Sequence, residues 1–133
     1  WHSLTDYLVK DAKTNSSAVV TKDRKGAKEA RLSFWILSCR EVQEQRMAEA
    51  AGVLGYVLAE IQLATGRHHQ IRVQMAHAGM PLLGDQRYGS EESREVSTQL
   101  GIRTIRLQAV KLAFCHPTSG KRVCYELTDK LTL

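Results

Sequence analysis

The sequence predicts an α+β fold, with a mixed, mainly antiparallel sheet and one short, capped helix. Three observations lead there. Apolar residues recur at alternate positions over 32–37, 53–63 and 105–115, the period of a strand with two unlike faces. A single stretch, 65–81, switches to helical spacing and carries its own stop signal. The composition, 43% hydrophobic and 25% charged over 133 residues, supplies a core for one domain.

Taken in order, residues 13–30 (KTNSSAVVTKDRKGAKEA) are polar, lysine-rich and broken by Gly26. They read as an exposed loop with a short extended piece at 18–21. Leu32, Phe34, Ile36 and Leu37 follow as a strand of partly alternating character that ends near Cys39. Residues 41–51 (EVQEQRMAEAA) hold good helix formers but few large apolar side chains, which predicts an exposed insertion with one short helix. The alternation then resumes. Val53, Gly55, Val57, Ala59, Ile61 and Leu63 share one parity, and Leu54, Tyr56, Leu58 and Glu60 the other, so both faces should be partly covered.

The helix comes next. Thr65 is the expected N-cap, Ile71, Met75 and Ala78 fall at helical spacing, and Gly79 and Pro81 stop it. Residues 86–103 are polar, carry Glu91, Glu92 and Glu95, and read as a surface excursion with a short helix up to Gly101. Ile105, Leu107, Ala109, Lys111, Ala113 and Cys115 form one parity of a long strand. HPTSGK (116–121) is its turn and residues 122–127 the returning partner.

Lysine and arginine outnumber the acids 19 to 14, a formal charge of +5. That balance favours a polyanionic partner, because each neutralised phosphate releases counterions. No run of 18 apolar residues suits a membrane span, and the start WHSLTDYLVKD lacks the features of a signal peptide. The expected compartment is the cytoplasm. Cys39, Cys115 and Cys124 are too few and scattered for a disulfide framework, and form no CxxC pair for zinc. They are expected to be buried, reduced thiols. A first residue Trp1 in place of methionine suggests a chain cut from something longer.

The chemistry concentrates in TGRHHQIRVQMAHAGMPLLGDQRYG, residues 65–89. Gly66 is expected to let the chain turn tightly into the helix. Arg67, His68, His69, Gln70 and Arg72 then crowd the first turn, where unpaired N–H groups and a partial positive charge already favour an anion. Cations there oppose the helix dipole, so an anion is expected beside them; alternatively, the arginines pair with surface acids or backbone carbonyls. A metal site is not expected. His69 and His77 lie about 12 Å apart along a helix, and His68 and His69 point to different faces. Asp85 suits either a catalytic carboxylate or, more often in such a turn, a brace paired with a nearby arginine. No Walker or dinucleotide pattern and no Ser-His-Asp or Cys-His constellation can be assembled.

This stretch resembles the motif III region of RluA-type RNA pseudouridine synthases, whose pattern runs TGRxHQIRVHxxHxGxPLxGDxxYG. LTDYLVKDAKTN (4–15) is similar to the segment following the middle of that catalytic domain, and LQAVKLAFCHPTSGKRVCYEL (107–127) resembles its C-terminal hairpin. The resemblance implies the C-terminal portion of a pseudouridine synthase catalytic domain over residues 1–133. It also implies isomerisation of uridine in structured ribosomal or transfer RNA, with no metal or organic cofactor. In the family an aspartate attacks the nucleoside covalently, dividing a difficult glycosidic cleavage into easier steps, on a nucleotide turned out of its helix.

Carried over residue by residue, Arg72 matches the basic partner of that aspartate. Arg67, His69 and Gln70 match the rest of the motif, organising the pocket or contacting RNA. Gln74 and Gln108 stand where histidine is common. No HRLDxxTSG-like motif occurs, Asp6 and Asp11 belong to a different part of the pattern, and the pocket tyrosine is missing too. The expectation is therefore an enzyme fragment, inactive alone, whose partners are RNA and the upstream half of its own domain. Exposed strand edges make a homodimer of the fragment a further expectation. The alternative is a non-catalytic RNA-binding module derived from a synthase domain.

Overall fold

The computed structural model describes residues 1–41 and 55–133. Four strands, β1 (His2–Asp11), β2 (Ser16–Val20), β3 (Lys28–Glu41) and β4 (Gly55–Leu63), form one sheet in the order β2-β1-β3-β4. Every neighbouring pair is antiparallel. Helix α1 (Gln70–His77) packs across one face of that sheet, α2 (Glu91–Gln99) follows, and β5 (Lys111–Cys115) and β6 (Arg122–Glu126) form a separate hairpin.

The sheet has one apolar face because its ladders align like with like. Leu4 pairs with Leu32, Leu8 with Val19, and Phe34 with Ile61. Helix α1 drops Val73 onto Leu8 and Ala30, and Met75 onto Leu32 and Phe34, with Ile71 and Leu82 alongside. Burying these side chains removes them from water at about 25 cal/mol per Å², the main force holding helix to sheet. Among the described residues there are two helices, one in the stretch 65–81 and one in the excursion 86–103, each where a short helix was expected.

β1 escaped the sequence reading because Asp6 occupies one of its inward positions and breaks the apolar alternation. Gln74 of α1 answers it: buried completely, it donates through Nε2 to Asp6 Oδ2 at 2.8 Å and to the Ala30 carbonyl at 3.1 Å. The polar stretch 13–30 is less of a loop than expected. Pairing with β1 turns Ser16–Val20 into a full strand, and Lys28–Ala30 already belongs to β3. On β4, Tyr56, Leu58, Ala59, Glu60 and Ile61 are all half-buried, so both parities are partly covered. The insertion expected beyond Glu41, and Val53 and Leu54 of the expected strand, lie outside the described residues.

Helix α1 starts differently from the expectation. Thr65 does not cap it. The N-cap is His69, in the left-handed conformation at φ 54°, with no side-chain cap. Gly66 does not adopt a positive φ, so the tight turn falls on His69 instead. The stop is as read: the Gly79 N–H reaches the Ala76 carbonyl and the Met80 N–H the Met75 carbonyl, with Gly79 at φ 78°. α2 is capped by Ser90, which accepts from Ser93 N–H, and Glu91 and Glu92 complement its dipole.

The long strand expected over 105–115 is shortened to Lys111–Cys115. Other partners take the residues before it. The Arg106 N–H bonds to the Leu83 carbonyl, and the Gln108 amide clamps Asp129 and Leu131. The turn 116–121 and the returning strand stand where expected. All three cysteines are exposed, which corrects the expectation of buried thiols. Cys39 lies beyond the irregularity in β3 at Ile36–Ser38, and Cys115 and Cys124 sit on a hairpin with no covering layer among the described residues.

Candidate functional site

Residues 65–89 fold into a compact knot at the end of α1, held by three braces. Gln70 is the first. Only 3% exposed, its side chain accepts from Thr65 Oγ1 and the Arg67 N–H, both at 2.9 Å, and donates to the Arg31 carbonyl at 3.0 Å. Thr65 Oγ1 also accepts from the Arg31 N–H. Gln70 was expected to organise the pocket or to contact RNA; its amide ties the loop to β3 and faces inward.

Asp85 is the second brace. Its carboxylate, 1% exposed, accepts from Arg72 Nε at 2.8 Å and Nη2 at 2.7 Å, and from the backbone N–H groups of Arg87 and Tyr88. Burial opposes its ionisation, but the Arg72 bonds and the two backbone donors outweigh it, and its pKa lies below the usual value. The same bonds, led by the side-chain hydrogen bond to Asp85, raise Arg72 above its ordinary range. Of the two roles open to Asp85 in the sequence, this geometry is that of the arginine-paired brace.

Backbone sterics fix the loop around it. A side chain on Gly89 would collide with the Asp85 carbonyl oxygen, and one on Gly84, at φ 76°, with that of Thr104.

Tyr88 is the third brace, and it received no role in the sequence reading. Its ring lies 4.8 Å from the Arg72 guanidinium carbon, a cation–π contact. Its hydroxyl accepts from the Ser17 N–H at 2.9 Å and bonds His69 Nδ1 at 2.8 Å. His68 completes the link, with Nδ1 2.9 Å from Ser17 Oγ and its ring 3.8 Å from that of His69. The aromatic at the end of GDQRYG was the only sequence signal for Tyr88. Ser17 had none, because strand pairing alone brings it here.

The four expected site residues thus separate. Arg72 and His69 share one polar cluster with Asp85 and Tyr88. Arg67 is exposed and lies beside it, its Nε donating to the Glu29 carbonyl at 2.8 Å. Gln70 lies beneath. Both histidines have lowered pKa values, first from burial and then from neighbouring cations, including Arg72 and Arg87. Both effects favour the neutral imidazole. Arg72 is 22% exposed, and among the described residues no acceptor engages its Nη1. A guanidinium has five N–H donors, so one edge stays open to a further anion. Its expected partner was an aspartate from elsewhere; within this chain it holds Asp85.

Known proteins resemble this chain in sequence and in fold. The chain is 35% identical over 112 residues to an uncharacterized RNA pseudouridine synthase of Aquifex aeolicus, covering 82% of this chain and 32% of that protein. It is 42% identical over 79 residues to the ribosomal large subunit pseudouridine synthase D of Neisseria meningitidis, covering 55% of this chain and 21% of that one. A tRNA pseudouridine synthase C of Pasteurella multocida is 36% identical over 69 residues, 51% of this chain and 28% of its own length. No protein-family model matches. In fold, the chain resembles human RNA pseudouridylate synthase domain containing 1, with a TM-score of 0.66 at 20% identity, over 97% of this chain and 49% of that one. The chain spans about a third of the length of its first curated relatives. With the long motif over residues 65–89 and the matching α+β architecture, these relationships establish that the chain belongs to the RluA-type RNA pseudouridine synthases.

Proposed function

We propose that this chain is the Arg72-bearing part of an enzyme that isomerises uridine to pseudouridine in ribosomal or transfer RNA. The observation that carries the reading is the state of Arg72. Asp85 and Tyr88 fix its guanidinium in place and leave one N–H edge without an acceptor among the described residues. A guanidinium so held is suited to keep a second carboxylate ionised and oriented, as a nucleophilic aspartate requires. That aspartate comes from polypeptide outside these 133 residues, and the chain alone does not turn over.

The exposed apolar side chains support a companion segment. Leu112 and Tyr125 face each other on one side of the β5–β6 hairpin at 61% and 63% exposure, with Phe114 beside them. A bare two-stranded hairpin is marginal in water, and the rest of a synthase domain would cover it. A second copy of the chain is the other candidate cover. Arg67 flanks and His69 joins the Arg72 cluster, and both contact the RNA. The reaction needs no metal or organic cofactor, and the protein works in the cytoplasm with its RNA.

The test uses the complete enzyme with its upstream aspartate. Arg72→Ala should lower pseudouridine formation by roughly 10²-fold or more, the usual cost of losing a preorganised electrostatic contact. Arg72→Lys keeps the charge but not the fork geometry, and should recover only part of the rate. Far-ultraviolet circular dichroism checks that both variants fold. Full turnover by a folded Arg72→Ala enzyme refutes the proposal.

A further inference from the structure

We propose that Lys10, Ser17, His68 and Arg87 form a seat for an RNA backbone phosphate beside the Arg72 pocket, an inference that rests on the reading of this chain as RNA-binding. Nothing in the motif assigns Lys10 or Ser17. Strand pairing brings them together: Lys10 faces Ser17 directly across the β1–β2 ladder, so their side chains share one face of the hairpin. Ser17 Oγ meets His68 Nδ1 at 2.9 Å. Arg87 reaches over the hairpin turn, its Nη1 donating to the carbonyls of Thr14 and Asn15 at 2.9 and 2.8 Å. The two exposed cations and the half-buried imidazole thereby border one surface, and the buried Ser17 hydroxyl holds the imidazole from beneath.

The cluster lacks its own counter-charge. Among the described residues, neither Lys10 nor Arg87 takes part in an ion pair. Asp85 is committed to Arg72. Asp11 pairs with Ser16, one step along the ladder, and so points to the opposite face of the hairpin. His68 reports the resulting field: after burial, Lys10, Arg87 and Arg72 are what depress its affinity for a proton. Like charges gathered without an acid cost energy unless an anion joins them, and a phosphodiester matches the donors present. The seat adjoins Arg72 through His69 and Tyr88. It would therefore hold the backbone of the same strand whose nucleotide enters the pocket.

The test reads binding and never turnover, so it stands apart from the Arg72 experiment. The 133-residue chain is titrated with a short oligouridylate at several salt concentrations, and the His68 imidazole is followed by NMR against pH. RNA should raise the His68 midpoint. Lys10→Ala, at an exposed position, should flatten the log–log salt dependence by about 0.7, the share of one phosphate contact on a single strand. Lys121→Ala, on the distant hairpin turn, should leave the slope unchanged. Inorganic phosphate at the same phosphate concentration should shift His68 much less than RNA does.

An unchanged slope in Lys10→Ala, an equal loss in Lys121→Ala, or an immobile His68 overturns the seat. So does an equal shift with free phosphate, or no RNA binding by the chain. An enzyme without isomerase activity that still gives the expected shifts sinks only the synthase reading.

Discussion

Arg72 grips Asp85 through two nearly parallel hydrogen bonds, Nε to Oδ2 at 2.8 Å and Nη2 to Oδ1 at 2.7 Å. The aspartate is almost wholly buried and the arginine about four-fifths so. Removing one partner therefore leaves a charge in a poor environment. Asp85→Asn should destabilise the chain by roughly 2–4 kcal/mol, read from urea midpoints at neutral pH.

The same pair sets an acid limit. Asp85 has a lowered folded-state pKa, so the unfolded chain binds its proton more readily. Its stabilisation is complete above the unfolded value near 3.8 and disappears as pH falls through the lower folded value. Urea midpoints should drop over that range in the parent chain and less steeply in Asp85→Asn.

His68 and His69 impose a second pH dependence, at milder acidity. Burial comes first and neighbouring cations second in lowering both below 6.5. Because the unfolded histidines take up protons first, stability is complete above about pH 6.5 and declines as pH falls through the folded values. A double variant, His68→Gln with His69→Gln, should flatten the melting temperature between neutral and mildly acid pH.

The glycines of the motif should separate cleanly. Gly84→Ala forces a side chain into the Thr104 carbonyl at a positive φ, at a cost of at least about 2 kcal/mol. Gly66→Ala meets nothing within 4 Å. It should fall within about 0.5 kcal/mol of the parent. Thermal melts of the two variants decide it.

Gln70→Leu should be costly although it touches no charge. Loss of the side-chain oxygen orphans the Arg67 N–H and weakens the hold on Thr65, about 1–3 kcal/mol. Amide hydrogen exchange at Arg67 should rise along with the fall in urea midpoint.

Much of the fold was legible in the residues. The alternation around Leu32 and Ile61, the Gly79 stop, the Ser-Gly turn before Arg122 and the α+β class all follow from local pattern, because side-chain period and turn chemistry act over a few residues. The motif over 65–89 also marked where the polar cluster gathers and placed Arg72 and His69 within it. The sequence by itself determined those things.

Tertiary structure decided the rest. β1 was hidden because Asp6 breaks its alternation, and Gln74, 68 residues away, makes that position tolerable, with His77 Nε2 3.9 Å from the other carboxylate oxygen. Gln70 reads as a surface polar residue until β3 supplies the Arg31 carbonyl beneath it. Tyr88, Ser17 and Lys10 acquire meaning only when the β1–β2 hairpin is laid against the loop after α1. Contacts between segments far apart in the chain leave no local period to read, and they alone fix which polar groups are satisfied and which are left without a partner among the described residues.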